Sequence, residues 1–174
     1  MEKLTLECRA KINLAIDVLG KREDGYHDVE MILKEIALSD RMTLTLRTDG
    51  KIVITSDSAA LPLGEANLAY RAARLFFDHL GRTEGVEIHI EKRIPMGAGL
   101  GGGSADAAGV LKGLNAMFGN PFNIDTLMQL GARIGADVPF CVLGGCAKAT
   151  GIGEILKPLP MPPALNCVIA KPEP

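Results

Sequence analysis

From Leu4 to Val18 every second residue is apolar: Leu4, Leu6, Cys8, Ala10, Ile12, Leu14, Ile16 and Val18. A period of two is the signature of a strand with one buried face, so this stretch predicts one long strand, or two joined by a bend, with the even-numbered side chains on a core. The other face carries Thr5, Glu7, Arg9, Lys11, Asn13 and Asp17. Lys11 and Asn13 are two apart and therefore point the same way, which sets both toward a cleft. Gly20–Gly25 reads as a turn-rich connection.

The pattern then changes several times. Residues 27–38 fit a strand or a helix. Met42, Leu44 and Leu46 alternate with Thr43, Thr45 and Arg47, and Asp49-Gly50 precedes Lys51–Thr55, which predicts a tight hairpin. Leu68, Ala72, Leu75, Phe76 and Leu80 recur at helical spacing and Gly81 stops them. Val86, Ile88 and Ile90 form a further alternating strand. A second helix carries Ala107, Val110, Leu111, Leu114 and Phe118 and ends at Gly119-Asn120-Pro121. A third is capped by Asn123, buries Leu127, Leu130 and Ile134, and ends at Gly135. Strands first, then strands and helices mixed, predict an α+β domain with a mixed sheet packed with helices.

Charge removes whole classes of partner. Nineteen Lys and Arg against 21 Asp and Glu give a net charge of −2, with none of the basic surplus that nucleic-acid binding needs. The four cysteines, Cys8, Cys141, Cys146 and Cys167, are not spaced as metal pairs and read as reduced thiols. No apolar run suits a signal peptide or a bilayer span, so a cytoplasmic protein without a membrane partner is expected. Any phosphate must be held locally.

Pro95-Met-Gly-Ala-Gly-Leu-Gly-Gly-Gly-Ser-Ala-Asp106 offers the means. Glycines let backbone N–H groups converge without side chains in the way, and a helix start adds free N–H groups and partial positive charge. The product is an anion cradle. Ser104 is placed to cap the helix, or to offer its hydroxyl to a phosphate or its metal ion. The plainer alternative is a flexible loop with a serine cap. A Walker loop is excluded, because Gly103 is followed directly by Ser104 rather than by Lys-Ser/Thr. Gly97, Gly99 and Gly102 do match Gly-x-Gly-x-x-Gly, but the preceding strand alternates with Glu87 and His89, which disfavours a dinucleotide fold.

This run closely resembles the second motif of the GHMP kinases. Ala10-Lys-Ile-Asn-Leu14, Asp24-Gly-Tyr-His27 and Gly135-Ala-Asp-Val-Pro139 narrow the resemblance to the branch acting on a cytidine diphosphate alcohol. It implies the N-terminal GHMP kinase fold, like ribosomal protein S5 domain 2, and transfer of the γ-phosphoryl of ATP, with Mg²⁺, to a tertiary hydroxyl in isoprenoid precursor synthesis. Asp137 then matches the catalytic aspartate that takes the hydroxyl proton, although between Gly135 and Pro139 it is equally at home as a turn residue. Lys11 matches the catalytic lysine; an arbitrary lysine on a strand is a solvated one. Asn13 matches a group near the substrate hydroxyl, and Tyr26 and His27 match the residues that hold cytosine. Pro95, Met96, Gly97, Ala98, Gly99, Leu100, Gly101, Gly102, Gly103, Ser104 and Ala105 match the ATP phosphate loop, with Ser104 also a candidate Mg²⁺ ligand. Asn67 and the neighbourhood of Lys92 match the adenine side, though Asn67 also suits a helix cap.

The resemblance divides the chain into residues 1–157, the N-terminal domain, and 158–174, a linker and the first strand of a truncated C-terminal domain. Leu165–Ala170 reads as that strand. Left without a partner, it is expected to be disordered or to pair with a second copy and give a homodimer.

Overall fold

A computed structural model describes residues 2–171. Two long strands dominate it, β1 (Lys3–Lys21) and β2 (His27–Arg47), paired antiparallel along their whole lengths. Residues 27–38, open between helix and strand from their pattern, are thus strand. β3 (Ile52–Ser56), α1 (Leu68–Leu80), β4 (Gly85–Glu91), α2 (Gly102–Met117), α3 (Ile124–Ala132), α4 (Val138–Leu143), β5 (Cys146–Thr150) and β6 (Ile155–Pro158) follow. One mixed sheet runs β3-β4-β2-β5-β6, with β1 on β2. The α+β expectation holds.

The hairpin expected at Asp49-Gly50 does not form as a strand pair. β4 lies between β2 and β3, antiparallel to the first and parallel to the second, so α1 is the crossover of a β-α-β unit. Gly50 still turns the chain at φ +71°, and the Asp49 carboxylate accepts from the Lys51 N–H. Gly85 explains how β4 fits: a Cβ there would come within 2.2 Å of the Lys51 carbonyl oxygen.

α1 and α2 cover one face of the sheet. α1 begins where Asn67 accepts from the Ala69 N–H, and ends at Gly81 in the left-handed region. α2 lies close on the sheet because its inward face includes Gly109 and Gly113; a Cβ on them would meet Cys8 Sγ at 2.3 Å and Leu44 Cδ1 at 2.4 Å. α4, β5 and β6 carry no periodic pattern strong enough to be read from sequence. Five and four residues are too short for it in the two strands.

Two further expectations are corrected. The even-numbered face of β1 is covered by the core only to about Ala10; Leu14, Ile16 and Val18 are 41%, 56% and 57% exposed, because no helix of the described residues packs beneath the distal end of the hairpin. Residues 165–170 form no strand. After β6 the chain is rich in proline, which removes ladder donors, and it lies instead along residues 34–38 of β2. Residues 172–174, at the end of the expected linker and strand, lie outside the described residues. No helix among the described residues is long and apolar enough to cross a membrane.

Candidate active site

Between β4 and α2 the chain takes three left-handed steps, Gly97 (φ +67°), Gly99 (φ +72°) and Gly101 (φ +69°), and then enters the helix. Only glycine adopts this region without strain, so alternate glycines are what the backbone requires. Among the described residues the N–H groups of Gly97, Ala98, Gly99, Leu100 and Gly101 find no acceptor in the protein. The first N–H groups of α2 follow directly, with the positive end of a 16-residue helix behind them. Pro95–Ser104 lines a cavity of about 340 Å³, walled also by Leu61, Leu68 and Lys92.

Ser104 is not the cap. Gly101 occupies that position without a side-chain bond, and Ser104 lies in the first turn of α2 and lines the cavity. The helix begins three residues earlier than a serine cap requires, because Gly102, Gly103 and Ser104 already have helical backbone.

Lys11 is drawn to this loop by a break in register. Between the pairs Arg9–Ser39 and Lys11–Glu35, β1 advances two residues while β2 advances four. A bulge of this kind re-aims the strand, and Ala10 and Lys11 are consecutively buried, which strict alternation forbids. The Lys11 N–H donates to the Leu100 carbonyl at 3.0 Å, and its stem lies where a Cβ on Gly101 would stand, 3.0 Å from Cγ. Its ammonium lies 3.4 Å from Asp137 Oδ2 and donates to Asn13 Oδ1 at 3.3 Å.

Asp137 stands immediately before α4, with Pro139 in the first turn of that helix. Its carboxylate makes no capping bond and is 35% exposed, so it remains open to a ligand. Lys11 and Asn13 of β1, Asp137 and the start of α2 thus converge from three segments of the chain.

Tyr26 and His27 are not part of this cluster. They are exposed at the β1–β2 turn, which Arg22 braces by ion pairs to Asp24 and Asp28. His27 pairs with Lys21, ten residues beyond Lys11, or about 33 Å of fully extended strand, shortened by further register breaks after Asn13 and Val18. Asn67 is buried; its oxygen caps α1 and its amide donates to the Pro62 carbonyl at 2.7 Å. Both groups of its side chain are engaged, and Leu68 reaches the cavity instead.

Two functional-looking groups escaped the sequence reading, Asp40 and Asp106. Lys92 donates to both carboxylates, and all three side chains are buried. A signal was present. Asp40 interrupts the even-numbered apolar series Leu38, Met42, Leu44 of β2, and Asp106 is a lone acid within the small-residue run Ala105–Val110. Burial pushes the Asp106 carboxyl up to about 7, against the pull of the Lys92 charge. Burial works to lower Lys92, but the carboxylates of Asp106 and Asp40 hold it above the ordinary lysine range.

Cys8, Cys141 and Cys146 are buried free thiols and Cys167 is exposed. Burial pushes Cys141 up to about 12, so it is inert as a nucleophile.

Comparison with known proteins gives similarities that agree with one another. Residues 67–145 match the GHMP kinases N terminal domain. A 4-diphosphocytidyl-2-C-methyl-D-erythritol kinase of Shouchella clausii is 52% identical over 170 residues, which are 98% of this chain and 57% of that protein. One of Alkaliphilus metalliredigens is 52% identical over 172 residues, 99% of this chain and 59% of that protein. A crystal structure of 4-(cytidine 5'-diphospho)-2C-methyl-D-erythritol kinase superposes with a TM-score of 0.75 at 43% identity, covering 91% of this chain and 56% of the other. A homoserine kinase from Cytophaga hutchinsonii, at 22% identity and a TM-score of 0.74, shares the fold. The chain spans less than three fifths of the length of these relatives.

Proposed function

We propose that this chain, whose residues 67–145 match the GHMP kinases N terminal domain, binds ATP in the Gly97–Ser104 loop and transfers the γ-phosphoryl to the tertiary hydroxyl of 4-diphosphocytidyl-2-C-methyl-D-erythritol, a step in non-mevalonate isoprenoid precursor synthesis. The Lys11–Asp137 pair at the mouth of the loop carries this reading. Phosphoryl transfer needs positioning, charge stabilisation and a proton acceptor, and these residues supply all three. Loop amides and the α2 terminus hold the phosphate oxygens. Asp137 accepts the hydroxyl proton as the oxygen attacks the γ-phosphorus in line and ADP leaves. Lys11 stabilises the negative charge on the transferring group and orients Asp137. Asn13, on the same ammonium, faces the acceptor hydroxyl.

Mg²⁺ fits this site as part of the nucleotide substrate. No group of three or more metal-binding side chains exists among the described residues, while Ser104 lines the cavity. When bound, the ion neutralises β- and γ-oxygens and keeps most of its waters, which needs few protein ligands. Tyr26 and His27 supply stacking and hydrogen bonding for cytosine in this reading.

A second reading, an ATP-binding unit that turns over only with the remaining part found in its relatives, draws on two observations. The chain spans only part of those relatives, and Tyr26, the proposed cytosine platform, is 59% exposed. A half-open cleft loses the alignment that phosphoryl transfer depends on. Incubating the chain with MgATP and the cytidyl substrate, and weighing the product, separates the two. A product heavier by one phosphoryl group, lost in Asp137→Asn, supports the kinase reading. ATP binding without product selects the second, and no ATP binding refutes both.

A further inference from the structure

Beneath the glycine-rich loop two buried carboxylates share one ammonium. Lys92, just after β4, donates to Asp40 of β2 and, at 2.9 Å, to Asp106 Oδ2 of α2. Asp40 Oδ1 also accepts from the N–H groups of Arg93 (2.6 Å) and Ile94 (2.8 Å). Asp40 therefore grips the entrance of the loop, and through Lys92 and Asp106 its exit as well, since Asp106 lies in the second turn of α2. The separation of the two ends, and hence the convergence of the amides between them, is set by three side chains from three elements.

The charge of this arrangement does not balance. Two carboxylates around one ammonium leave an excess negative charge, and Asp106 Oδ1 is a buried oxygen with no hydrogen-bond partner. We propose that Asp40, Lys92 and Asp106 are positioning residues, a buried clamp holding the loop at the spacing phosphates need.

The inference deepens the proposed ATP site and rests on it.

Calorimetric titration of ATP into the wild-type chain and two Asp106 variants tests the clamp. Asp106→Ala, which cuts the tie to Lys92, should weaken ATP binding about tenfold or more, the scale of a lost charged hydrogen bond. Asp106→Asn, whose amide oxygen still accepts from Lys92, should recover most of that loss. An alanine variant as tight as wild type would overturn the clamp. A wild-type chain that binds no ATP would refute the nucleotide site itself, a different result from that.

Discussion

Gly97 and Gly101 have almost the same backbone, φ +67° and +69°, in different surroundings, and this makes a controlled perturbation. Alanine at either position incurs the left-handed penalty of about 1–2 kcal/mol. At Gly97 that is the whole effect, because a Cβ there meets nothing within 4 Å. At Gly101 the Cβ would stand 3.0 Å from Lys11 Cγ and 3.3 Å from Cε. Lys11 is 7% exposed and its N–H is tied to Leu100, so the stem must shift by a few tenths of an ångström and take its ammonium with it. The ammonium is already 3.4 Å from Asp137, and a displacement of about 1 Å can cost about 10²-fold in rate. Both variants should therefore melt about 2–8 °C below wild type, the range for that penalty in a chain this long. They should differ in function. Gly101→Ala should lose at least about tenfold more turnover than Gly97→Ala, or more ATP affinity where the chain alone does not turn over. Melting curves and paired kinetics or calorimetry read both. Equal functional losses in the two variants would refute the placement of Lys11 against the loop.

Asp137→Asn keeps the shape of the side chain but cannot accept a proton, so turnover should fall about 10²–10⁴-fold with ATP affinity little changed; steady-state kinetics beside calorimetry checks this. Asp106, pushed up to about 7 by burial, retains in the folded protein a proton that the unfolded chain loses near its ordinary value of 3.8. Its contribution to stability therefore falls as pH rises from about 4 to 7 and then levels, by a few kcal/mol. In urea titrations across that range Asp106→Asn should gain on wild type as pH rises, and parallel profiles would contradict the protonated carboxyl. Gly109→Ala places a Cβ 2.3 Å from Cys8 Sγ and should destabilise by about 1–3 kcal/mol, with part of the loss restored by adding Cys8→Ala, as urea midpoints would show.

What could be read from sequence was what repeats or is locally obligatory. Alternation gave β1 and β4, helical spacing gave α1, α2 and α3, and the glycine run gave the loop at the start of α2. Strand order was not legible, because a turn such as Asp49-Gly50 reports a reversal and says nothing of a strand inserted later between its arms. The burial of Lys11 was hidden for a similar reason. Alternation assigns it to an open face, and only the register break against β2 turns it toward Gly101. Asp137 was visible as part of a short motif, while its partner came from a segment over a hundred residues earlier. The Asp40–Lys92–Asp106 cluster joins three segments, and within each the only trace is one charged residue at an apolar position.

The central claim is that the backbone of the glycine-rich loop holds the phosphates of ATP. Amide chemical shifts of the isotope-labelled chain, followed during additions of ATP and of adenosine, test it directly. The account predicts that ATP shifts the N–H signals of Gly97, Gly99, Gly101, Gly102 and Ser104, and that adenosine, without phosphates, leaves them nearly in place. Shifts confined to the larger cavity of about 450 Å³ walled by Arg71, Arg74 and Arg133, with the loop signals unmoved, would contradict it.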